Sequence, residues 1–148
     1  MPNKRSKTAS KKAFPVWIVV LALIVLAAAA GIVIAQLANP AAVQLPAEIS
    51  VAQVAQAQKD GAFILDVREP SEWAQAHIAG ATLIPLGDLP NRLSAVPKDR
   101  EVVVVCRTGI RSAQGRDILK NAGFTQVTSM TGGLNQWQAQ GLPVASGQ

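Results

Sequence analysis

Apolar residues along this chain fall first into one long run and then into a series of short ones. The long run, residues 16–35, reads VWIVVLALIVLAAAAGIVIA: 12 of its 20 residues are Leu, Ile or Val and none is strongly polar. At about 1.5 Å of rise per residue such a helix spans roughly 30 Å, the thickness of a bilayer's hydrocarbon core. A helix apolar on every side has no face to turn to water, so the run predicts a transmembrane helix. A cleaved signal peptide carries a shorter apolar stretch, about 7 to 15 residues, with its small-residue cleavage site behind it. Here the small pairs Ala27/Ala29 and Ala28/Ala30 lie inside the run.

The short runs alternate in type. Ser50 caps a helix predicted over 51–58, with Val51, Val54 and Ala55 on one face and Gly61 closing it. FILDV at 63–67 is too continuously apolar for a half-exposed strand and predicts a buried one. Glu69 and Pro70 open a helix reaching residue 76, since proline and acidic residues both suit a first turn. A strand over 81–84 and a short amphipathic helix over 88–95 follow. EVVVV at 101–105 is the strongest strand signal, then a helix over 112–121 closed by Gly123, a strand over 124–129, and a last helix over 134–140 behind Gly132 and Gly133. This alternation predicts an α/β fold with a mainly parallel central sheet and helices on both faces. Pro40 and Pro46 break a stretch without periodicity, which reads as a tether. The expected organisation is a basic tail over 1–13, a transmembrane helix over 14–37, a linker over 38–47 and a folded domain over 48–148.

Charge sharpens this picture. The chain has 148 residues and a formal net charge of +5, and Lys4, Arg5, Lys7, Lys11 and Lys12 carry all of it. From residue 13 onward 9 basic residues balance 9 acidic ones, so a nucleic-acid-binding surface on the folded part is not expected. Cations ahead of the apolar run and none close behind it place the amino terminus in the cytoplasm and the folded domain outside, in a periplasm if the cell has one. The single cysteine, Cys106, excludes an internal disulfide framework and a multi-cysteine zinc site. The single histidine, His77, leaves little for metal chemistry.

Cys106 stands where chemistry is expected, directly after the valine strand, because ligands of parallel sheets bind beyond the carboxyl ends of the strands. The segment CRTGIR bends around its own first residue. A short loop entering a helix aims backbone N–H groups at one centre, and the helix start adds partial positive charge. Gly109 permits the curvature, and Arg107 and Arg111 add cations. All of this favours thiolate over thiol and stabilises an anionic substrate. An isolated free cysteine is more commonly just a small buried apolar residue; the arginines, the glycine and the strand-to-helix setting point instead to a nucleophile.

LDVREPSEWAQAHIAGA (65–81), CRTGIRSA (106–113) and TGGLNQW (131–137), in this order, resemble a single-domain rhodanese, over about residues 48–144. The resemblance implies a rhodanese-like three-layer domain and a sulfurtransferase. Cys106 would take a sulfane sulfur from a donor such as thiosulfate, form a persulfide and pass the sulfur to a thiol or other thiophilic acceptor. Arg107, Thr108, Gly109, Ile110 and Arg111 would form the anion cradle. No metal and no organic cofactor is implied, and a protein partner is not identified. Chemistry agrees, because thiolate attack on sulfur needs a good leaving group and neither a metal nor a separate base.

Within the site, Arg111 is expected to close the cradle on the substrate anion, whereas Arg107 is expected to face solvent and tune which donor docks. Asp66 and Arg68 are read as supporting residues able to pair with each other, and Glu69 and Glu72 as serving a helix start and solvation. His77 reads as a hydrogen-bonded structural histidine, Trp73 and Trp137 as packing residues, Gly132 and Gly133 as a turn. Two other functions compete. Cysteine-dependent phosphatases and arsenate reductases place five residues between cysteine and arginine, and Cys106 and Arg111 have four between them. A membrane-tethered docking or sensing module would not require the cysteine that is present.

Overall fold

The computed structural model describes residues 45–147 together with Trp17, Val20, Leu21 and residues 23–26, in a chain that divides into two compact units, Met1–Ala41 and Ala42–Gln148. In the second unit the elements run β1 (Glu48–Ile49), α1 (Val51–Lys59), β2 (Phe63–Asp66), α2 (Pro70–Gln75), β3 (Thr82–Leu83), two 3-10 turns (Leu89–Asn91 and Leu93–Ala95), β4 (Val102–Val105), α3 (Ile110–Asn121), β5 (Val127–Met130) and α4 (Gly133–Ala139). The strands form one five-stranded sheet in the order β1-β5-β4-β2-β3, every neighbouring pair parallel.

Alternation along β4 explains why four valines in a row are needed. Successive side chains of a strand point to opposite faces, and this strand is buried on both. Val102 and Val104 join Leu65, Val67, Ile84, Leu89 and Leu119 in one core. Val103 and Val105 join Ile49, Val54, Ile64, Ile78 and Trp137 in the other. Each buried valine contributes about 1.5 to 3 kcal/mol of apolar burial, and all four of this strand are fully buried. Helix α3 lies close over the first face: a side chain at Gly115 would meet Val104 Cγ1 at 3.0 Å and Val67 Cγ1 at 3.3 Å.

Several sequence expectations are corrected. The 88–95 segment is two 3-10 turns, held by short-range bonds such as Arg92 N–H to Leu89 O and Val96 N–H to Leu93 O. Strand 81–84 shrinks to the edge strand β3. The 124–129 strand starts later, at Val127, since Phe124 first turns back to bond Leu119 O and enters the core. Helix α3 begins at Ile110, two residues earlier than expected. Strand β1 has no counterpart among the expected elements. Ser50 caps α1 as expected, in a capping box with Gln53.

The tail 1–13 and most of the 14–37 and 38–47 segments lie outside the described residues. Among the described residues no helix is long and apolar enough to cross a membrane. The described residues of the first unit are helical, and Leu23, Ile24, Val25 and Leu26, four successive positions that point around a helix, are 59–66% exposed. At the other end of the linker, Pro46 and Ala47 already belong to the sheet edge, their carbonyl oxygens accepting from the Thr128 hydroxyl and the Ser129 N–H.

Candidate active site

The parity of β4 decides where the thiol points. Cys106 follows Val105 and packs with Val102 and Val104 on the α3 face, only 1% exposed. Three residues later Gly109 turns the chain into α3 with φ +108°, a left-handed conformation that L side chains rarely adopt. The bend is therefore tighter than the sequence suggests: Ile110 and Arg111 already form the first turn of α3, and Ile110 is 71% exposed rather than part of a closed cradle.

The tight bend brings donors onto sulfur. The Gly109 N–H donates to Cys106 Sγ at 3.1 Å; in the thiol form Sγ–H donates to Ser112 Oγ at 3.6 Å and the Ser112 hydroxyl to Gly109 O at 2.7 Å, and on ionisation that hydroxyl can turn to donate to Sγ. Burial pushes the Cys106 thiol up, but the Ser112 side chain and the backbone N–H groups of Gly109, Ser112 and Thr108 outweigh it and hold the thiol below its ordinary value. Ser112, fully buried, reads from the sequence only as a helix residue; nothing but its place six residues after the cysteine, one turn into the helix, singles it out.

A second helix fixes the other side of the bend. The Leu134 N–H donates to Cys106 O at 2.8 Å and the Asn135 N–H to Arg107 O at 3.1 Å, so the free N–H groups at the start of α4 hold the loop's carbonyl oxygens outward. With those oxygens turned away, the loop's own N–H groups face the sulfur. Gly132 and Gly133 do form a turn, at φ +74° and +59°, and they do more: a Cβ on Gly133 would stand 2.5 Å from Cys106 O and Arg107 O.

The arginines separate. Arg111 is held by Glu72 of α2 through two parallel bonds, Nη1 to Oε2 at 2.7 Å and Nη2 to Oε1 at 2.8 Å. Glu72 therefore does far more than solvate a helix start. The Arg111 guanidinium, helped by the Glu69 N–H, holds its carboxyl down to about 2 against the opposing effect of burial. Arg68 is buried against Asp66, with Nε at 2.9 Å from Oδ1 and Nη2 at 2.7 Å from Oδ2, and Nη2 also reaches Ala76 O. That pair ties the end of β2 to the end of α2. Arg107 is exposed and, among the described residues, makes no ion pair.

Two clefts flank the loop. One, of about 360 Å³, runs between Arg107, Arg68, Glu72, Gln75, Asn135 and Gln138. The other, of about 370 Å³, is bordered by Thr108, Gly109, Ile110, Glu48 and Thr131. His77 stands apart from both, stacked on Trp73 with ring centroids 3.6 Å apart and its Nδ1 at 3.0 Å from Trp73 O, a structural arrangement. Trp137 is buried, its Nε1–H donating to Pro143 O.

The arrangement can hold one ionised sulfur and stabilise negative charge that develops beside it. Residues 50–140 match the model of the rhodanese-like domain family. A sulfurtransferase of Allochromatium vinosum is 38% identical over 90 residues, covering 61% of this chain and 84% of that protein. A thiosulfate sulfurtransferase GlpE of Stutzerimonas stutzeri is 35% identical over 78 residues, 53% of this chain and 72% of that one. The crystal structure of a rhodanese-related protein from Thermoplasma volcanium superposes with a TM-score of 0.63 at 30% identity, covering 68% of this chain and 98% of that chain.

Proposed function

The chain belongs to the rhodanese family, and from that premise we propose that it is a sulfurtransferase whose nucleophile is Cys106. The Cys106 thiolate attacks the sulfane sulfur of a donor; an Sγ–S bond forms as the donor's S–S bond breaks, and the electron pair departs with the donor remnant, sulfite in the case of thiosulfate. The outer sulfur of the resulting persulfide is then attacked by an acceptor thiolate, which returns Cys106 as thiolate. The Gly109 N–H on Sγ at 3.1 Å is the observation that carries this reading. It supplies a donor aimed at the one atom whose charge must be kept, and the N–H groups of Thr108 and Ser112 act in the same sense.

Purified residues 48–148 should convert thiosulfate and cyanide to thiocyanate, and Cys106 should gain the mass of one sulfur atom on incubation with thiosulfate. Cys106→Ala should abolish both; a wild-type protein that shows neither with several donors would favour a docking role. Phosphatase-type chemistry is not favoured, because the bend is short and Arg111 is engaged by Glu72. Hydrolysis of an aryl phosphate by the wild type, lost in Cys106→Ser, would reverse that preference.

We propose in addition that residues 14–37 anchor the domain in a membrane, amino terminus in the cytoplasm and domain outside. The 20-residue apolar run and the five cations before it support this. The exposure of Leu23, Ile24, Val25 and Leu26 supports it too, as an apolar surface on all sides of a helix suits lipid. A reporter fused to the carboxyl terminus tests the orientation, and cytoplasmic activity of that reporter would reverse it.

A further inference from the structure

The arginine best placed to hold a substrate dianion is already engaged. Arg111 presents both Nη groups to the Glu72 carboxylate in the fork-to-fork geometry that a second oxyanion would need. Glu72 is held from behind as well, its Oε2 accepting the Glu69 N–H at 3.3 Å. Arg68 is neutralised in the same manner by Asp66. Of the cations at the rim, Arg107 alone is left without an ion pair among the described residues, and the Glu69 carboxylate also acts on Arg111, so little net positive charge faces an incoming donor. Thiosulfate brings two negative charges to a thiolate that already carries one.

We infer that Glu72 is a specificity determinant which, by neutralising Arg111, disfavours small inorganic dianions and leaves the site to donors whose transferable sulfur is carried on an organic group. This rests on the sulfurtransferase reading above and makes an organic persulfide the preferred donor, with thiosulfate a weaker one. Cys106 thiolate attacks the outer sulfur of R–S–SH, the Sγ–S bond forms, the S–S bond breaks, and R–S⁻ leaves with the electron pair while the proton stays on the transferred sulfur. The cleft of about 360 Å³ beside Arg107 has room for the organic group. Gln75, Asn135 and Gln138 border it with primary amides, Arg107 with a cation and Glu72 with a carboxylate, a lining suited to amide groups and to charges of both signs at opposite ends.

The test compares the wild type with Glu72→Gln, which retains an oxygen to accept the Glu69 N–H, and with Glu69→Gln, which removes a neighbouring charge but no pair. Sulfate, which cannot donate sulfur, reports anion affinity by calorimetry without any turnover. Glu72→Gln should bind sulfate and thiosulfate about tenfold tighter, and Glu69→Gln should change affinity less than about twofold. In turnover, Glu72→Gln should lower the KM for thiosulfate and raise kcat/KM for thiosulfate relative to that for glutathione persulfide about tenfold. Equal sulfate affinity in wild type and Glu72→Gln, or an equal gain in Glu69→Gln, would overturn the inference. Failure of every donor to sulfurate wild-type Cys106 would instead refute the sulfur-transfer reading, with the sulfate comparison still deciding the role of Glu72.

Discussion

The carbonyl oxygen of Cys106 accepts the Leu134 N–H at 2.8 Å, so the same residue presents its sulfur to the start of α3 and its carbonyl to the start of α4. Two helix amino termini, each with unsatisfied N–H groups, thus share one residue at the end of the central strand. Gly133 allows this approach, and its substitution is the most direct way to test it. Gly133→Ala places a Cβ 2.5 Å from two backbone oxygens, at a φ of +59°. It should cost about 2 kcal/mol or more in urea unfolding and depress Cys106 reactivity in the fraction that folds. Wild-type stability with wild-type alkylation kinetics would show that the two helices do not need this contact.

Removal of the Ser112 hydroxyl should move Cys106 in a defined direction. Ser112 favours the thiolate, so Ser112→Ala should raise the thiol's midpoint. Below that midpoint the rate of iodoacetamide alkylation should fall, about tenfold if the midpoint rises by a full pH unit, and at high pH, where both proteins are ionised, it should match the wild type. An unchanged midpoint would assign the lowering to the backbone N–H groups alone.

The Glu72–Arg111 pair should make stability depend on acid. Glu72 titrates near 2 in the folded protein against 4.5 for the free group, with Arg111 as the main cause. A depressed carboxyl contributes stability that is present above the unfolded value and lost as pH falls through the folded one. Wild type should therefore be more stable than Glu72→Gln at neutral pH, and the two unfolding curves should converge between pH 4.5 and about 2. Parallel curves across that window would remove the pair from the stability of the domain.

Asp66→Asn should be more damaging than any surface substitution. It leaves the Arg68 guanidinium, 4% exposed, without its counter-charge. A cost of about 3 to 5 kcal/mol is expected, read as a fall in thermal midpoint. The double variant Asp66→Asn/Arg68→Met should recover part of it, since removing both charges removes the unpaired one.

What the sequence reveals and what it hides divide along a physical line. The buried strands are legible because FILDV and EVVVV are continuous apolar runs with turn residues at both ends. The position of Cys106 follows from the order strand, bend, helix. Strand β1 is not legible: it has two residues, and what makes it a strand is the β5 backbone beside it, with Glu48 opposite Ser129 and Ile49 opposite Met130. The Arg111–Glu72 pair joins residues 39 apart in the chain, a separation at which no periodicity carries information. The same holds for the α4 amides on the Cys106 and Arg107 carbonyls; the TGGLNQW motif suggests a turn but not what the turn will touch.

The near-complete enclosure of Sγ has a consequence for how acceptors are chosen. An added sulfur atom lengthens the side chain by about 2 Å, and so moves its reactive tip outward from a site the bare thiol barely exposes. In the sulfur transfer proposed above, a bulky acceptor therefore meets the sulfur-loaded protein and is sterically screened from the bare thiol. Under that proposal, cargo-dependent reach of this kind discriminates full carriers from empty ones.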